Sequence, residues 1–120
     1  MHAEEVVVDK ELVQEILAVK QQSGKVFAVG TTTLRALEAT FLDSRPEFKG
    51  STDLFIYPGF QFKVVDYLLT NFHQPKSSLL MLVAAFIGLE NLQKIYAEAI
   101  EMQYRFLSYG DAMLLKRHDL

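Results

Sequence analysis

The sequence predicts an α/β fold in which a mainly parallel sheet is flanked by helices. Segments with the apolar pattern of strands alternate along the chain with segments that have the periodicity of helices, which is typical of this class. The chain has 120 residues, of which 50% are hydrophobic, and this is enough to build one core. No internal repeat, low-complexity tract or linker is present, so we expect a single domain.

The predicted strands are short runs rich in β-branched, aromatic or other apolar residues. In chain order they lie at residues 4–8, 25–29, 52–57, 62–70 and 112–115. The polar stretch at residues 43–51 is expected to be a loop. Pro58 and Gly59 are a turn pair that closes the third strand.

The predicted helices carry apolar residues three and four positions apart. They are the segment between Asp9 and Ser23, then residues 31–42, 77–88 and 91–106. Asp9 is a good N-cap because its carboxylate accepts from the free amides of the first turn, and Ser77 or Ser78 is expected to cap the third helix. Gly24 ends the first helix, and Gly30 leads into the second.

The composition excludes several kinds of site. The chain has no cysteine, so disulfides, thiolate zinc sites and cysteine nucleophiles are ruled out. His2, His73 and His118 do not form a metal-ligand pattern, and we predict no metal. The net charge of −3 comes from 12 basic and 15 acidic residues that are mixed along the chain. If the protein binds RNA, we expect most of the electrostatic contacts to lie outside this chain.

No segment is predicted to cross a membrane. The longest nearly unbroken apolar run, Leu79 to Leu89, is much shorter than the about 20 residues that a spanning helix needs. The N-terminal residues MHAEEVVVDKE lack the basic-then-apolar order of a secretory signal. A cytoplasmic protein is therefore the expectation.

The first candidate site is the turn VGTTTLR at residues 29–35. A strand that ends at Gly30 and passes directly into a helix presents backbone amides at the positive end of that helix, and Thr31 and Thr32 add hydroxyl groups. Arg35 would add a forked pair of donors for a carboxylate or phosphate. The alternative is that Thr31 only caps the helix and Arg35 is a solvated surface charge.

The second candidate site follows the strand at residues 62–70. Ligands of open α/β sheets bind beyond the carboxyl ends of the strands, and Asn71 and His73 lie at such an end. His73 titrates near neutrality and is a candidate base or donor. The alternative is an ordinary loop histidine near Pro75. Ser77, at the start of the next helix, is the other candidate in this stretch.

Two further candidates are weaker. In SYGDAM, at residues 108–113, Gly110 allows a tight turn and Asp111 offers a carboxylate. The alternative is that Asp111 hydrogen-bonds the amides of its own turn. His2 and Glu4 lie too near the N-terminus for their spacing to be informative.

Four segments taken together resemble one known family. They are MHAE at residues 1–4, VGTTTLRALE at 29–38, the block from Thr52 to Gly88, and YRFLSYGDAML at 104–114. In this order they resemble the C-terminal part of the S-adenosylmethionine:tRNA ribosyltransferase-isomerases of queuosine biosynthesis. Members of that family are much longer. Residues 1–120 are therefore expected to be the C-terminal part of their α/β domain, a partial domain of a larger enzyme, with the β-rich domain absent.

The resemblance implies an activity and partners. These enzymes transfer the ribosyl part of S-adenosylmethionine to 7-aminomethyl-7-deazaguanine in tRNA and isomerise it, giving epoxyqueuosine-tRNA with release of adenine and methionine. S-adenosylmethionine is then a substrate, and no cofactor is expected. His73 is expected to be the base or proton shuttle, with Asn71 orienting it or the ribose, and Asp111 is a second candidate base. The expected substrate-binding residues are His2, Glu4, Gly30, Thr31, Thr32, Arg35 and Ser77.

Other classes of function stay open. The chain by itself can be a non-catalytic α/β fragment, or a module that binds a ligand or a complementing N-terminal chain without turnover. A generic phosphate-binding α/β enzyme is preferred only if Asn71 and His73 prove buried away from the Gly30 turn. The deciding observation is whether that turn, the Asn71–His73 segment and Asp111 converge on one cleft.

Overall fold

The computed structural model describes residues 4–73, 77–103 and 111–120. Strands and helices flank one another as expected, so the α/β class is confirmed. The strands are β1 (Glu4–Val8), β2 (Phe27–Val29), β3 (Phe48–Thr52), β4 (Tyr67–Asn71) and β5 (Ala112–Lys116). The helices are α1 (Lys10–Gln21), α2 (Thr31–Leu42), α3 (Ser78–Ile87) and α4 (Leu89–Glu101).

The strands form two sheets. β2, β4 and β5 make a three-stranded sheet with β4 in the middle, and β1 pairs with β3. β2 and β4 run parallel because the chain crosses over through α2 between them, whereas the other two pairings are antiparallel. In the described part of the chain, parallel pairing is thus limited to β2 and β4. β5 starts beside the last residue of β4, so it has to run back along that strand.

Local capping signals set the helix boundaries. Asp9 accepts from Leu12 N at 2.8 Å, and Ser77 accepts from Leu80 N at 3.1 Å, so each side chain satisfies an amide of the first turn. Gly88 ends α3 and begins α4 with a φ of 89°, which L side chains rarely adopt. The last residues predicted for the fourth helix lie outside the described ranges.

The helix α3 is part of the core. Its residues from Leu82 to Ile87 are all buried, and the ring of Phe86 packs edge-on against Phe62 with centroids 5.1 Å apart. No single helix in the described ranges is long and apolar enough to cross a membrane. Helices α3 and α4 pass that test together, by length and composition alone, with a bend of 115° between them.

The segment between α2 and β4 departs most from the prediction. Residues 48–52, expected mostly in a loop, pair with β1 over five positions and form β3. Residues 53–57, expected to be a strand, are not one, although the Pro58-Gly59 turn does form. Of the extended run predicted at residues 62–70, only the part from Tyr67 onward joins a sheet.

Two charged side chains of α2 bind this segment in place of a neighbouring strand. Arg35 is only 2% exposed, and it donates from Nε to Leu54 O at 3.1 Å and from Nη2 to Thr52 O at 3.2 Å. Glu38 is 1% exposed and accepts from the amides of residues 63–65 at 2.8, 3.1 and 2.9 Å. Backbone groups without a strand partner are therefore satisfied by side chains.

The three-stranded sheet is covered on one face only by the described residues. Helix α2 packs against β2 and β4, and α3 packs against β5, on the face where alternate strand residues are buried. On the other face Val29, Leu69 and Leu114 are neighbours in register and are 67%, 41% and 62% exposed. Beside them the ring of Phe27 stacks on that of Tyr67 at 4.4 Å. These five residues are called the open face below.

A buried carboxylate joins three elements at the opposite end of the sheet from Gly30. Asp66, just before β4, accepts from Lys20 Nζ at 2.7 Å and from Val26 N at 2.8 Å. Arg117 Nη1 lies 3.6 Å from Asp66 Oδ1, and Arg117 N donates to Asp66 O at 3.0 Å. The end of α1, the start of β2 and the chain after β5 are therefore tied to one side chain.

Candidate active site at one end of the sheet

Three of the predicted turns meet at one end of the three-stranded sheet. Gly30 N, just after β2, donates to Leu69 O in β4 at 2.8 Å. Asn71 ends β4, and its Nδ2 donates to the backbone oxygen of Asp111, just before β5, at 3.4 Å. The carboxyl ends of the parallel strands β2 and β4 therefore share this end with the start of β5. The Gly30 turn, Asn71 and Asp111 thus share one end of the sheet, and the prediction that they line one cleft together with His73 stays a prediction.

His73 is held at this end on the side of the sheet that the helices cover. It is 7% exposed, and its ring Nε2 lies 3.1 Å from Thr70 Oγ1. Its backbone N donates to the hydroxyl of Tyr96, in α4, at 2.7 Å. Burial lowers the pKa of His73 from its ordinary value of 6.5. The ring is therefore neutral at pH 7, which is the state that a general base requires.

The side chains of Asn71 and Thr70 lie on opposite faces of the sheet. Successive strand residues alternate between faces, so Asn71 is exposed on the side of the open face while Thr70 is buried against the helices. Among the described residues the hydrogen bonds of His73 are with Thr70 and Tyr96, and Asn71 lies on the other face of the sheet. The other role suggested for Asn71, contact with a ribose, stays a prediction.

The helix α2 begins at the same end of the sheet. Gly30 is its N-cap with a φ of 93°, and a Cβ added there would meet no atom within 4 Å, so the backbone conformation rather than space requires glycine. No side chain within the described ranges caps this helix, and the alternative that Thr31 caps it is wrong. Thr31 is half-buried, whereas Thr32 and Thr33 are exposed.

A groove of about 230 Å³ lies beside this first turn. Thr32 and Thr33 contribute hydroxyl groups to it, and the other lining residues are apolar side chains of β1, α1 and α2. This mixture of apolar wall and few polar groups is typical of small-molecule pockets, although the groove is smaller than most of them.

The remaining predicted site residues have the following positions. Arg35 is buried and binds backbone oxygens, so its alternative as a solvated surface charge is wrong, and its role toward a ligand anion stays a prediction. Ser77 is half-buried and caps α3. The backbone of Glu4 pairs with that of Thr52 in β1 and β3, and its side chain is outside the description. His2 lies outside the described residues.

Sequence reasoning missed two buried polar residues, Tyr96 beside His73 and Glu38 toward the Asp66 end of the sheet. Glu38 lies on the apolar stripe of α2, four residues after Leu34, and a charged residue there signals a buried partner. Tyr96 lies on the buried face of α4, and a buried tyrosine hydroxyl usually has a hydrogen-bond partner. Burial raises the pKa of Tyr96 above 10.0, so its phenol is protonated at neutral pH.

Electrostatics at Glu38 have two opposing parts. Burial raises its pKa above 4.5, and the amides of residues 63–65, together with the charge of Arg117, lower it. The pKa of Glu38 is therefore raised overall.

In the described ranges no group of three histidine, aspartate or glutamate side chains is arranged to hold a metal ion. The expectation that the protein uses no metal stays a prediction.

Known proteins resemble this chain over nearly its whole length. The family model described as queuosine biosynthesis protein matches residues 1–115. A relative from Polynucleobacter asymbioticus is 56% identical over 117 residues, which cover 98% of this chain and 33% of the relative. One from Prochlorococcus marinus is 54% identical over 118 residues, covering 96% and 32%. Both are named S-adenosylmethionine:tRNA ribosyltransferase-isomerase.

A solved structure agrees with these matches. The crystal structure of S-adenosylmethionine tRNA ribosyltransferase from Thermotoga maritima superimposes with a TM-score of 0.84 at 51% identity, over 90% of this chain and 38% of that one. The chain therefore spans about a third of the length of the curated relatives that it matches. Its sequence and its fold place it in the family of queuosine biosynthesis proteins.

Proposed function

We propose that this chain is the C-terminal portion of an S-adenosylmethionine:tRNA ribosyltransferase-isomerase and contributes part of its active site. The substrates would be S-adenosylmethionine and a tRNA that carries 7-aminomethyl-7-deazaguanine, in the cytoplasm. The ribosyl group would pass to the aminomethyl nitrogen and be isomerised, with release of adenine and methionine. S-adenosylmethionine is consumed, so no separate cofactor is proposed.

One observation carries this proposal beyond family membership. The Gly30 turn, Asn71 and Asp111 belong to three separate segments and share one end of the sheet, and His73 follows Asn71 there on the helix-covered face. Convergence of a helix start, an amide, a carboxylate residue and a neutral imidazole is the pattern expected of a catalytic site.

In this proposal His73 is the base. The sulfonium of S-adenosylmethionine acidifies the adjacent ribose carbon, and a neutral imidazole near that carbon can take its proton. Asp111, just before β5, would hold ribose hydroxyls or act as the second base. Asn71, at the end of β4, would contact the ribose. Gly30, Thr31 and Thr32 would hold the methionine carboxylate or a phosphate at the start of α2. The roles proposed for Arg35, Ser77, Glu4 and His2 are to support this binding.

The open face favours a second candidate function for the chain on its own. Parallel strands are normally covered on both faces, and a row of exposed Val29, Leu69 and Leu114 is the kind of apolar surface that marks an interface. A fragment that lacks its cover would bind ligand or a complementing N-terminal chain but would not turn over. In that case the proposed activity belongs to the complete protein.

Adenine release separates these two functions. The 120-residue chain is incubated with S-adenosylmethionine and tRNA bearing the aminomethyl base, alone and after fusion to the preceding part of the Polynucleobacter relative. We expect release by the fusion and none by the chain alone. Release by the chain alone would contradict the incomplete-enzyme proposal, and a folded fusion without release would contradict the proposed function.

A single substitution in the same fusion tests the base. His73→Ala should reduce turnover by at least about 100-fold, the lower range for lost general base catalysis. The matched control is His118→Ala, because His118 is exposed and its backbone N, which donates to Phe86 O at 2.9 Å, is kept in the variant. Turnover by His73→Ala within a few-fold of the control would remove His73 from this role.

A further inference from the structure

We propose that Tyr96 of α4 and Thr70 of β4 are the positioning residues of His73, Tyr96 through the backbone amide and Thr70 through the ring. The functional meaning of this inference rests on the proposed role of His73. Its structural part, a histidine fixed at two points by two different elements, stands on the contacts alone.

The contact with Tyr96 fixes the backbone of His73. His73 lies after β4 and outside any helix or strand, so its buried amide has no partner in a ladder. The Tyr96 hydroxyl supplies the acceptor at 2.7 Å. The Tyr96 ring is itself held by Phe72, edge-on with centroids 5.6 Å apart. Residues 72 and 73 therefore contact the same tyrosine, one by packing and one by hydrogen bonding.

The contact with Thr70 fixes the ring. Nε2 is 3.1 Å from Thr70 Oγ1, and both side chains are buried, so the hydrogen bond is shielded from water. For the ring to act as a base at Nδ1, Nε2 must carry the proton and donate it to Thr70 Oγ1. A threonine hydroxyl can accept from Nε2 or donate to it, so the contact holds the ring in either tautomer, and the Nε2-protonated form is the one that this proposal requires.

The contact with Tyr96 couples the candidate base to α4. The hydroxyl of Tyr96 comes from the middle of a helix that supplies none of the predicted site residues. A displacement of that helix would move the His73 amide and, with it, the ring. Since a misplacement of about 1 Å can cost about 100-fold in rate, Tyr96 would affect the catalytic step without contacting substrate.

Two variants in the fusion measure the catalytic consequence. Tyr96→Phe keeps the ring against Phe72 and removes the hydroxyl that accepts from His73 N, and we expect kcat to fall about 10- to 100-fold with KM changed by less than about 3-fold. Tyr57→Phe is the matched control, because Tyr57 is 56% exposed and its ring lies tilted against that of Phe55. Unchanged kcat in Tyr96→Phe, in a fusion that His73→Ala inactivates, would overturn the proposal.

Two measurements on the 120-residue chain test the contacts without any activity. Hydrogen exchange of the His73 amide should be slow and should accelerate at least about 10-fold in Tyr96→Phe. Nitrogen-15 NMR of the ring above pH 7.5 should show the Nε2-protonated tautomer, and Thr70→Val should convert it to a mixture. Rapid exchange of the amide in the unsubstituted chain, or an Nδ1-protonated ring, would refute the proposal even if a variant failed to fold.

These arms also separate the two hypotheses. If His73→Ala retains turnover while the amide is protected and the tautomer is as expected, the base assignment fails and the two-point fixation of His73 stands. If His73→Ala is inactive while the amide exchanges rapidly, the base assignment stands and the fixation by Tyr96 fails.

Discussion

The strongest prediction for stability concerns the carboxylate of Glu38. Glu38→Ala removes the acceptor of three backbone amides, at residues 63–65, in a segment that has no neighbouring strand. Val64 and Val65 are completely buried, so their amides cannot turn to water, whereas Lys63 is exposed. The loss therefore falls on two buried amides.

The magnitude follows from those two amides. A buried amide that loses its acceptor costs about 1–3 kcal/mol, so the variant should lose about 2–6 kcal/mol of unfolding free energy. A small domain has only about 5–15 kcal/mol in total. Glu38→Gln keeps one oxygen, which can still accept from the amides of Val64 and Val65 at the Oε2 position. The glutamine variant should therefore lose clearly less unfolding free energy than the alanine variant.

Urea unfolding followed by circular dichroism measures these losses. The control is Glu15→Ala, because Glu15 is exposed on α1, and it should change stability by less than about 0.5 kcal/mol. A loss of less than about 1 kcal/mol in Glu38→Ala, with an unchanged m-value, would refute the argument that Glu38 replaces a strand as partner of this segment.

Three further predictions concern pH and the Gly30 turn. Because burial raises the pKa of Glu38 above 4.5, the folded state binds a proton at this carboxyl more tightly than the unfolded state does. The stabilisation from this proton is complete below pH 4.5 and is lost as pH rises through the folded pKa. Urea midpoints of Glu38→Gln measured over this pH range should lack this loss of stability. Because burial lowers the pKa of His73 below 6.5, the stability that the neutral ring contributes is complete above pH 6.5 and is lost as pH falls through the folded pKa. His73→Gln should therefore lose less stability between pH 7 and 5 than the unsubstituted chain. An equal loss in both proteins would contradict this. Gly30→Ala places a side chain at a φ of 93° and should cost about 1–3 kcal/mol in urea unfolding, whereas Thr33→Ala in the adjacent exposed turn should cost much less.

Local signals predicted the fold where local chemistry decides it. Asp9 and Ser77 cap their helices as expected, and β1 and β5 lie within a residue of their predicted bounds. β3 was missed because FKGST contains a glycine and polar residues, and its strand geometry comes from pairing with β1. Residues 53–57 have strand-like composition, but the backbone oxygen of Leu54 accepts from the side chain of Arg35 rather than from a neighbouring strand. Tertiary contacts thus outweigh propensity in both places.

The site was predictable in position and less so in detail. The order of strands and turns was enough to bring Gly30, Asn71 and Asp111 to one end, because ligand sites follow strand ends. The partners of His73 were not predictable, since Thr70 is three residues away and Tyr96 is in a helix 23 residues away. Which residues share a helix-covered face depends on how α4 packs, and no local pattern specifies that.

Asp66 gives the molecule an anchor at the end remote from His73. Its carboxylate holds Lys20 and the Val26 amide, and Arg117 reaches it from beyond the last strand. A chain shortened before Arg117 would keep every residue of the proposed catalytic end and would still lose one of the cations that neutralise a buried charge. A tag or truncation at the C-terminus would therefore weaken the contacts that Asp66 makes with α1, β2 and Arg117. Loss of activity in such a shortened chain would say nothing about chemistry at Gly30 or His73.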